Sequence, residues 1–364
     1  MGIQPRALET LDVNTEFWKG KRVLLTGHTG FKGSWLSVWL QKMGAEVAGF
    51  ALPPGPCESL FELASVGRLV ETSVFADIRD LEPLSDLMVR FRPEIVFHLA
   101  AQSLVRLSYS QPLETYRVNV MGTVNLLEAV RRTDGCRVVV VVTSDKCYEN
   151  SEWAWGYREC DPLGGHDPYS SSKGCAELIT AAYRRSFFGR GLHTAAIATA
   201  RAGNVIGGGD FSKDRLVPDL MTSLATGDPL KVRNPDAVRP WQHVLEPLSG
   251  YLLLAERLWT DPQTYSQSWN FGPSQDDARS VRWLVERICA LWGKEPRWEV
   301  DARPAPHEAH VLTLDSAKAR AMLGWHPRWA LDTALRAVVD WYQAHERRER
   351  IHDVVLREIA AYSS

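Results

Sequence analysis

Two side chains one helical turn apart, Tyr169 and Lys173 in D-P-Y-S-S-S-K, make a pair suited to moving a proton near neutral pH. A phenol with a pKa near 10 is a poor base on its own. An ammonium close by and a helix N-terminus both favour the phenolate. Asp167 as N-cap and Pro168 as first helical residue put the pair on one helix face. A second cluster, Thr143-Ser144-Asp145-Lys146, follows the apolar run Val138 to Val142 and offers a hydroxyl, a carboxylate and an ammonium at a strand end. In a third stretch, R-V-L-L-T-G-H-T-G-F-K-G from Arg22 to Gly33, Gly27, Gly30 and Gly33 recur at every third position. Read as strand, tight turn and helix, it would bring backbone N–H groups to a pyrophosphate. A glycine turn or a Y-x-x-x-K helix is unremarkable alone. Together with a serine ending the preceding strand, they read as a catalytic pair beside a dinucleotide loop.

The elements that must hold these groups alternate. Strands are expected at Val23–Thr26, Glu46–Leu52, Thr72–Asp77, Glu94–Ala101, Val138–Thr143 and Thr194–Ala200, with helices at 34–43, Leu81–Phe91, Leu113–Arg131 and Tyr169–Phe188. Strands rich in consecutive Val, Ile and Leu suit a parallel sheet covered on both faces. The expected fold is α/β: a Rossmann-type doubly wound parallel sheet over residues 20–201, with a smaller C-terminal α/β substrate lobe over 202–364 and some later segments returning to the sheet. That lobe is rich in Gly, Pro and Trp, with a strand at Ser268–Phe271 and helices at Val281–Leu291 and Leu331–Ala344. The run His345 to Arg350 reads as a solvated helix face.

Ligands of such sheets lie beyond the carboxyl ends of the strands. There, Asp77 can bond an adenine and Ile78 pack on it, and the small residues of Leu99-Ala100-Ala101-Gln102 let backbone approach a dinucleotide. In the glycine loop Lys32 is suited either to a pyrophosphate or to solvent. Arg239 and His243, in V-R-P-W-Q-H-V, bind pyrophosphate or place a loop, Arg239 being better suited because guanidinium matches phosphate. Trp153, Trp155 and Trp241 can stack on a base or simply pack, and His98 reads as a satisfied core histidine.

A formal net charge of −2 gives no argument for nucleic acid or an anionic membrane as partner. No secretion signal is read in residues 1–20 and no apolar run has membrane-spanning length. The six cysteines lack metal or disulfide spacing, so no metal is expected and reduced thiols in a cytoplasm are.

T-G-H-T-G-F-K-G, H-L-A-A-Q, N-V-M-G-T around Asn119, T-S-D-K and Y-S-S-S-K together resemble the extended short-chain dehydrogenase/reductase family, and within it the nucleotide-sugar 4,6-dehydratases, over residues 20–330. G-H-T-G-F-K-G-S-W-L, T-S-D-K-C-Y and R-P-W-Q-H-V are most similar to members acting on CDP-glucose. The resemblance implies NAD, a nucleotide-sugar substrate and a homodimer. It assigns Gly27, Thr29, Gly30, Phe31, Lys32, Gly33, Asp77, Ile78, Leu99, Ala100, Ala101, Asn119, Thr143, Tyr169 and Lys173 to the cofactor. Gln102, Ser103, Arg201, Asn204, Val205, Arg239 and His243 fall to the substrate. It also implies three steps: oxidation at C4 with Tyr169 taking the hydroxyl proton, helped by Ser144 and Lys173; loss of water across C5–C6, with Asp145 as acid and Lys146 as base; and return of hydride to C6. The dTDP-glucose members carry Asp-Glu where this chain has Asp145-Lys146. An acidic residue for the adenosine ribose is missing after the second strand, where Phe50-Ala51-Leu52 meets Pro53-Pro54; the residues themselves leave NADP open. A 4-epimerase would share the loop and the Tyr-Lys pair but needs no elimination pair. A non-catalytic dinucleotide sensor would not need Tyr169 and Lys173.

Overall fold

The computed structural model describes residues 12–188, 193–301 and 311–364. Residues 1–11, part of the stretch read for a secretion signal, lie outside them. A first helix, α1 (Thr15–Trp18), leads into β1 (Arg22–Thr26), α2 (Phe31–Lys42), β2 (Glu46–Ala51), α3 (Leu60–Leu63), β3 (Thr72–Phe75), α4 (Leu81–Phe91) and β4 (Ile95–His98). There follow α5 (Val105–Ser110), α6 (Pro112–Tyr116), α7 (Gly122–Arg131), β5 (Val138–Val142), α8 (Pro168–Tyr183) and β6 (Ala196–Arg201). The remainder comprises β7 (Val205–Ile206), α9 (Leu216–Thr226), β8 (Leu230–Val232), β9 (Val238–Pro240), β10 (Gln242–His243), α10 (Leu245–Thr260), α11 (Pro262–Tyr265), β11 (Ser268–Asn270), β12 (Ala278–Ser280), α12 (Val281–Trp292), β13 (Trp298–Val300), α13 (Leu331–Glu346) and α14 (Ile351–Ser363).

Seven strands form one sheet in the order β11-β6-β5-β4-β1-β2-β3, every neighbouring pair parallel. This is the expected Rossmann-type doubly wound sheet. Its middle is apolar on both faces: all five valines of β5 are buried, as a central strand covered by helices on both sides requires. β11 returns from the C-terminal half to lengthen the sheet beyond β6, and the smaller two-stranded pairs β10–β7, β12–β9 and β13–β8 build the lobe beside it.

Several boundaries differ from expectation for local reasons. The fourth strand ends at His98: Leu99 N makes the last bond to β1, to Thr26 O at 3.1 Å, shared with Thr26 Oγ1 at 3.2 Å, and Ala100 N leaves the ladder for that same hydroxyl, at 3.2 Å. The expected helix Leu113–Arg131 runs through, but with a π-turn at Arg117–Met121. α2 is not amphipathic; every residue from Gly33 to Leu40 is buried, because α14 packs across the face that would otherwise meet water. Of the stretch His345–Arg350, His345 and Glu346 end α13, and residues 347–350 form a tight connection to α14, with Arg348 at φ 58°.

Candidate active site

A cleft of about 600 Å³ opens at the carboxyl ends of the strands, within the usual range for small-molecule sites. The glycine loop forms its floor. Gly27 sits at φ +78°, and a methyl there would lie 2.7 Å from the Ala100 nitrogen; one at Gly33 would overlap the Gly27 carbonyl. Only glycine allows both the turn and the close packing of loop on helix. His28 is fully buried, its Nε2 2.7 Å from Ser73 Oγ, and burial lowers its pKa to about 4. The loop is thereby pinned to the sheet by a neutral imidazole. Thr29, Gly30, Phe31, Lys32, Asp77, Ile78, Leu99, Ala100 and Ala101 join Gly27 and Gly33 along this side of the cleft. Asp77 is held by Arg79, whose hydrogen bonds keep its carboxyl below the usual carboxylate range against partial burial.

The opposite wall is chemical. Asp167 caps α8, accepting from Ser170 N at 2.9 Å, and Pro168 occupies the first turn as expected. Tyr169 and Lys173 therefore face inward, both almost wholly buried. Ser144 caps a short turn, Asp145–Cys147, by accepting from Lys146 N, and donates to Asp145 Oδ1 at 2.9 Å. Asp145 is buried; its Oδ2 has no hydrogen-bond partner. Gly203 packs directly on that carboxylate, so that any side chain there would overlap it. Thr143, Ser144, Asp145, Lys146, Tyr169 and Lys173 all line the cleft.

Electrostatics departs from the sequence reading at one point. Tyr169 is pushed up to about 12: burial outweighs the lowering influence of the Ser144 hydroxyl, and the charges of Asp145 and Asp167 add to it. Lys173 does not offset this, because its Nζ turns to the Val142 carbonyl at 3.3 Å. Burial also lowers Lys173, to about 8, against Cys147 and Glu177. Lys32, with Nζ 6.0 Å from the centre of the Tyr251 ring, falls to about 7 through burial and the charges of Arg215 and Lys173.

Not every residue singled out in the sequence meets the cleft. Ser103, Asn204, Val205 and Arg239 line it. Asn119 instead stands behind it, donating to Gln102 O and Ser172 Oγ and accepting from Gln102 N. Gln102 turns its amide to Thr115 and Leu104. Arg201 is buried on β6 in an ion pair with Glu177. His243 is buried between Trp35 and Trp329. The strand switches partners at Trp241, from β12 to β7, so the alternation that puts Arg239 and Trp241 in the cleft fails at His243. Trp153 and Trp155 pack on each other, at 5.2 Å between centres, outside the cleft. His98 is the satisfied core histidine expected, between Thr26 and Thr123 hydroxyls. Residues not singled out include Arg215, which bridges Asp210 and Ser103 at 2.9 Å each, and Asp210 itself. Their signal was the R at the N-cap of α9 beside a glycine-rich loop.

Comparison with known proteins agrees with this arrangement. Residues 24–338 match the family model described as GDP-mannose 4,6 dehydratase. A CDP-glucose 4,6-dehydratase of Salmonella typhimurium is 53% identical over 355 residues, covering 97% of this chain and 99% of that protein. A dTDP-glucose 4,6-dehydratase of Neisseria gonorrhoeae is 27% identical over 91% of this chain and 98% of its own length. Among solved structures, a UDP-glucose 4-epimerase of Stenotrophomonas maltophila with bound NAD and formylated UDP-arabinopyranose superposes with a TM-score of 0.77 at 27% identity, covering 90% of this chain and 99% of that one. The chain therefore belongs to the GDP-mannose 4,6 dehydratase family of extended short-chain dehydrogenases/reductases.

Proposed function

We propose that this chain is an NAD-dependent CDP-glucose 4,6-dehydratase, converting CDP-glucose to CDP-4-dehydro-6-deoxyglucose. The observation that carries it is Asp145: a buried carboxylate with one oxygen unpartnered, lining the cleft together with Tyr169 and Lys146. Exchange of configuration at C4 needs no such acid; elimination of a C6 hydroxyl does. The 53% identity to a CDP-glucose 4,6-dehydratase supports the base and the sugar.

The glycine cradle fits a dinucleotide: the methyl-excluding approach of Gly27 to Ala100 leaves backbone free to meet a pyrophosphate at the N-terminus of α2. NAD, when bound, supplies the acceptor that takes hydride from C4 and gives it back at C6. Tyr169 takes the C4 hydroxyl proton as a phenolate, with the Ser144 hydroxyl and the Lys173 ammonium beside it. Once C4 is a ketone the C5 hydrogen is acidic; Lys146 removes it while Asp145 protonates the departing C6 oxygen. Lys32 and Gly27–Gly33 hold the cofactor, and Ser103, Asn204, Val205 and Arg239 the nucleotide sugar. Residues 20–201 with β11 form the cofactor half of this assignment, and most of 202–364 the sugar half.

We infer a homodimer through the packed elements α6, α8 and the π-turn between α6 and α7, where Leu113, Leu178 and Met121 are 62%, 59% and 50% exposed. Leu178→Glu should yield a monomer in sedimentation. The six unpaired cysteines suit a cytoplasmic location.

Mass spectrometry of CDP-, dTDP-, UDP- and GDP-hexoses incubated with the protein tests the function. Loss of one water from CDP-glucose without net reduction of NAD is expected. In Asp145→Asn the elimination rate should fall by about 10²-fold or more, as for removal of a general acid, while C4 oxidation continues. Full-rate elimination by that variant, or a C4 epimer as the product, would overturn the reading.

A further inference from the structure

One buried carboxylate stands against the catalytic wall without touching the cleft. Glu177 follows Lys173 by one turn of α8 and Tyr169 by two, so the three share a helix face. It is 2% exposed, and its Oε1 accepts from Thr143 Oγ1 at 2.5 Å. Its Oε2 accepts from Thr199 Oγ1 and Arg201 Nη2, each at 2.7 Å, and from Ser268 Oγ at 3.1 Å. Those donors sit at the end of β5, on β6 and on β11. Arg201 in turn gives its Nη1 to the Tyr148 hydroxyl at 2.6 Å and lies 4.8 Å from the centre of that ring. Tyr148 follows the Asp145–Cys147 turn directly and donates to Asn270. One ion pair thus grips both ends of the segment that carries Ser144, Asp145 and Lys146.

We propose that Glu177, held by Arg201, is a positioning residue for the dehydration: it fixes the Thr143–Tyr148 segment against Tyr169 and Lys173, and its charge helps keep Lys173 an ammonium. The inference rests on the function proposed above. A hydrocarbon pair would fill the same space without the cost of burying charge, but it could not orient four donors from three strands. Nor could it place a negative charge one turn from Lys173. The ionisable groups around Lys173 are Lys32 from the cofactor loop, His98 from β4, Cys147 from the turn, and Glu177 and Tyr169 from its own helix. Burial keeps His98 and Cys147 uncharged, and Lys32, when charged, repels. Asp145 beyond them is the proton donor, so Glu177 is the carboxylate that stays charged throughout turnover. Burial alone would raise its pKa, but the charge and hydrogen bonds of Arg201, with those of Thr143 and Thr199, hold it below the usual carboxylate range.

The test is Glu177→Gln in the full chain, with kcat for CDP-glucose dehydration and KM for sugar and cofactor measured from acid to alkaline pH. We expect kcat to fall about tenfold or more, both KM values to stay within about threefold, and the alkaline limb of kcat to move down by about one pH unit as Lys173 releases its proton earlier. Glu177→Asp keeps the charge and shortens the reach; it should lower kcat with the limb in place, and serves where the amide variant does not fold. Wild-type kcat in either folded variant would overturn the proposal, as would a fall in kcat of the amide variant with an unmoved limb. Wild-type protein that removes no water from CDP-glucose would overturn the function itself; a dehydrating wild type with an unaffected variant overturns only the role of Glu177.

Discussion

Arg201–Glu177 and His243–Glu358 are both base–carboxyl pairs shut inside the molecule, and they settle their charge in opposite ways. In the first, N and O are 2.7 Å apart and the carboxylate collects three hydroxyl hydrogen bonds besides the guanidinium. In the second, His243 Nε2 is 3.5 Å from Glu358 Oε2, and none of these three atoms, counting Glu358 Oε1, has a hydrogen-bond partner. The Glu358 side chain is 12% exposed, yet both its oxygens are closed off from solvent. Burial accordingly raises Glu358 well above the carboxylate range, with Asp340 adding to it, and lowers His243 to about 3. The difference teaches that proximity of an acid and a base does not decide ionisation inside a protein; the number of donors turned toward the carboxyl does. The first pair is ionic and sits beneath the catalytic wall. The second is a neutral acid beside a neutral imidazole, under the C-terminal helix.

The comparison is broken most forcefully by removing one member of the charged pair. Arg201→Met leaves Glu177 buried with hydroxyls alone, and breaking a buried ion pair in this way costs roughly 3–5 kcal/mol, read as a lower midpoint in denaturant unfolding. Glu177→Met combined with Arg201→Met should lose less than the sum of the two single variants, because the stranded charge is gone. An additive double variant would show that the pair is not ionic. The pair also has a pH signature. Glu177 titrates below its unfolded value, so its contribution is present above about pH 4.3 and is lost as pH falls through the folded pKa. Unfolding of wild type should therefore weaken more steeply in acid than that of Glu177→Gln.

What the sequence could disclose follows the same division. Tyr169, Lys173 and Glu177 repeat every four residues, so their common face was legible, although Glu177 carried no motif to draw attention. The glycine loop, the parallel sheet and the Ser144–Lys146 turn were legible because local chemistry dictates them: caps, turns and apolar runs act over a few residues. The resemblance gives Arg201 to the substrate, but a motif does not show which face a strand residue turns to, and here Glu177, remote in sequence, turns it inward. His243 shares a motif with Arg239, but the motif does not show that this strand changes partner from β12 to β7 between them, which leaves Arg239 in the cleft and His243 in the core. Tyr169 was expected near neutrality, but burial, a property of the finished fold, outweighs the neighbouring cation. The helix α14 had a signal that went unused: Ile351, Val354, Val355, Ile359 and Tyr362 recur at helical spacing, and all are buried.

The smallest expected effect sharpens the other side of the comparison. Glu358 keeps its proton in the fold well above the pH at which the unfolded chain releases it. A carboxyl group with a raised folded pKa contributes stability that is complete below the unfolded value of about 4.3 and declines as pH rises through the folded one. Glu358→Gln exchanges a neutral acid for a neutral amide of the same size, so near pH 4 the two proteins should unfold within about 0.5 kcal/mol of each other. As pH rises toward 8 the amide variant escapes the cost of holding a proton that the unfolded chain would shed, and it should become the more stable by about 1 kcal/mol or more. His243 works against this slope on the acid side, since the folded imidazole resists a proton that the unfolded one accepts below about pH 6.5. Measuring the difference between variant and wild type, rather than either curve alone, cancels that contribution. A variant that instead loses stability relative to wild type as pH rises would mean that Glu358 is ionised against His243, and the two pairs would then be alike.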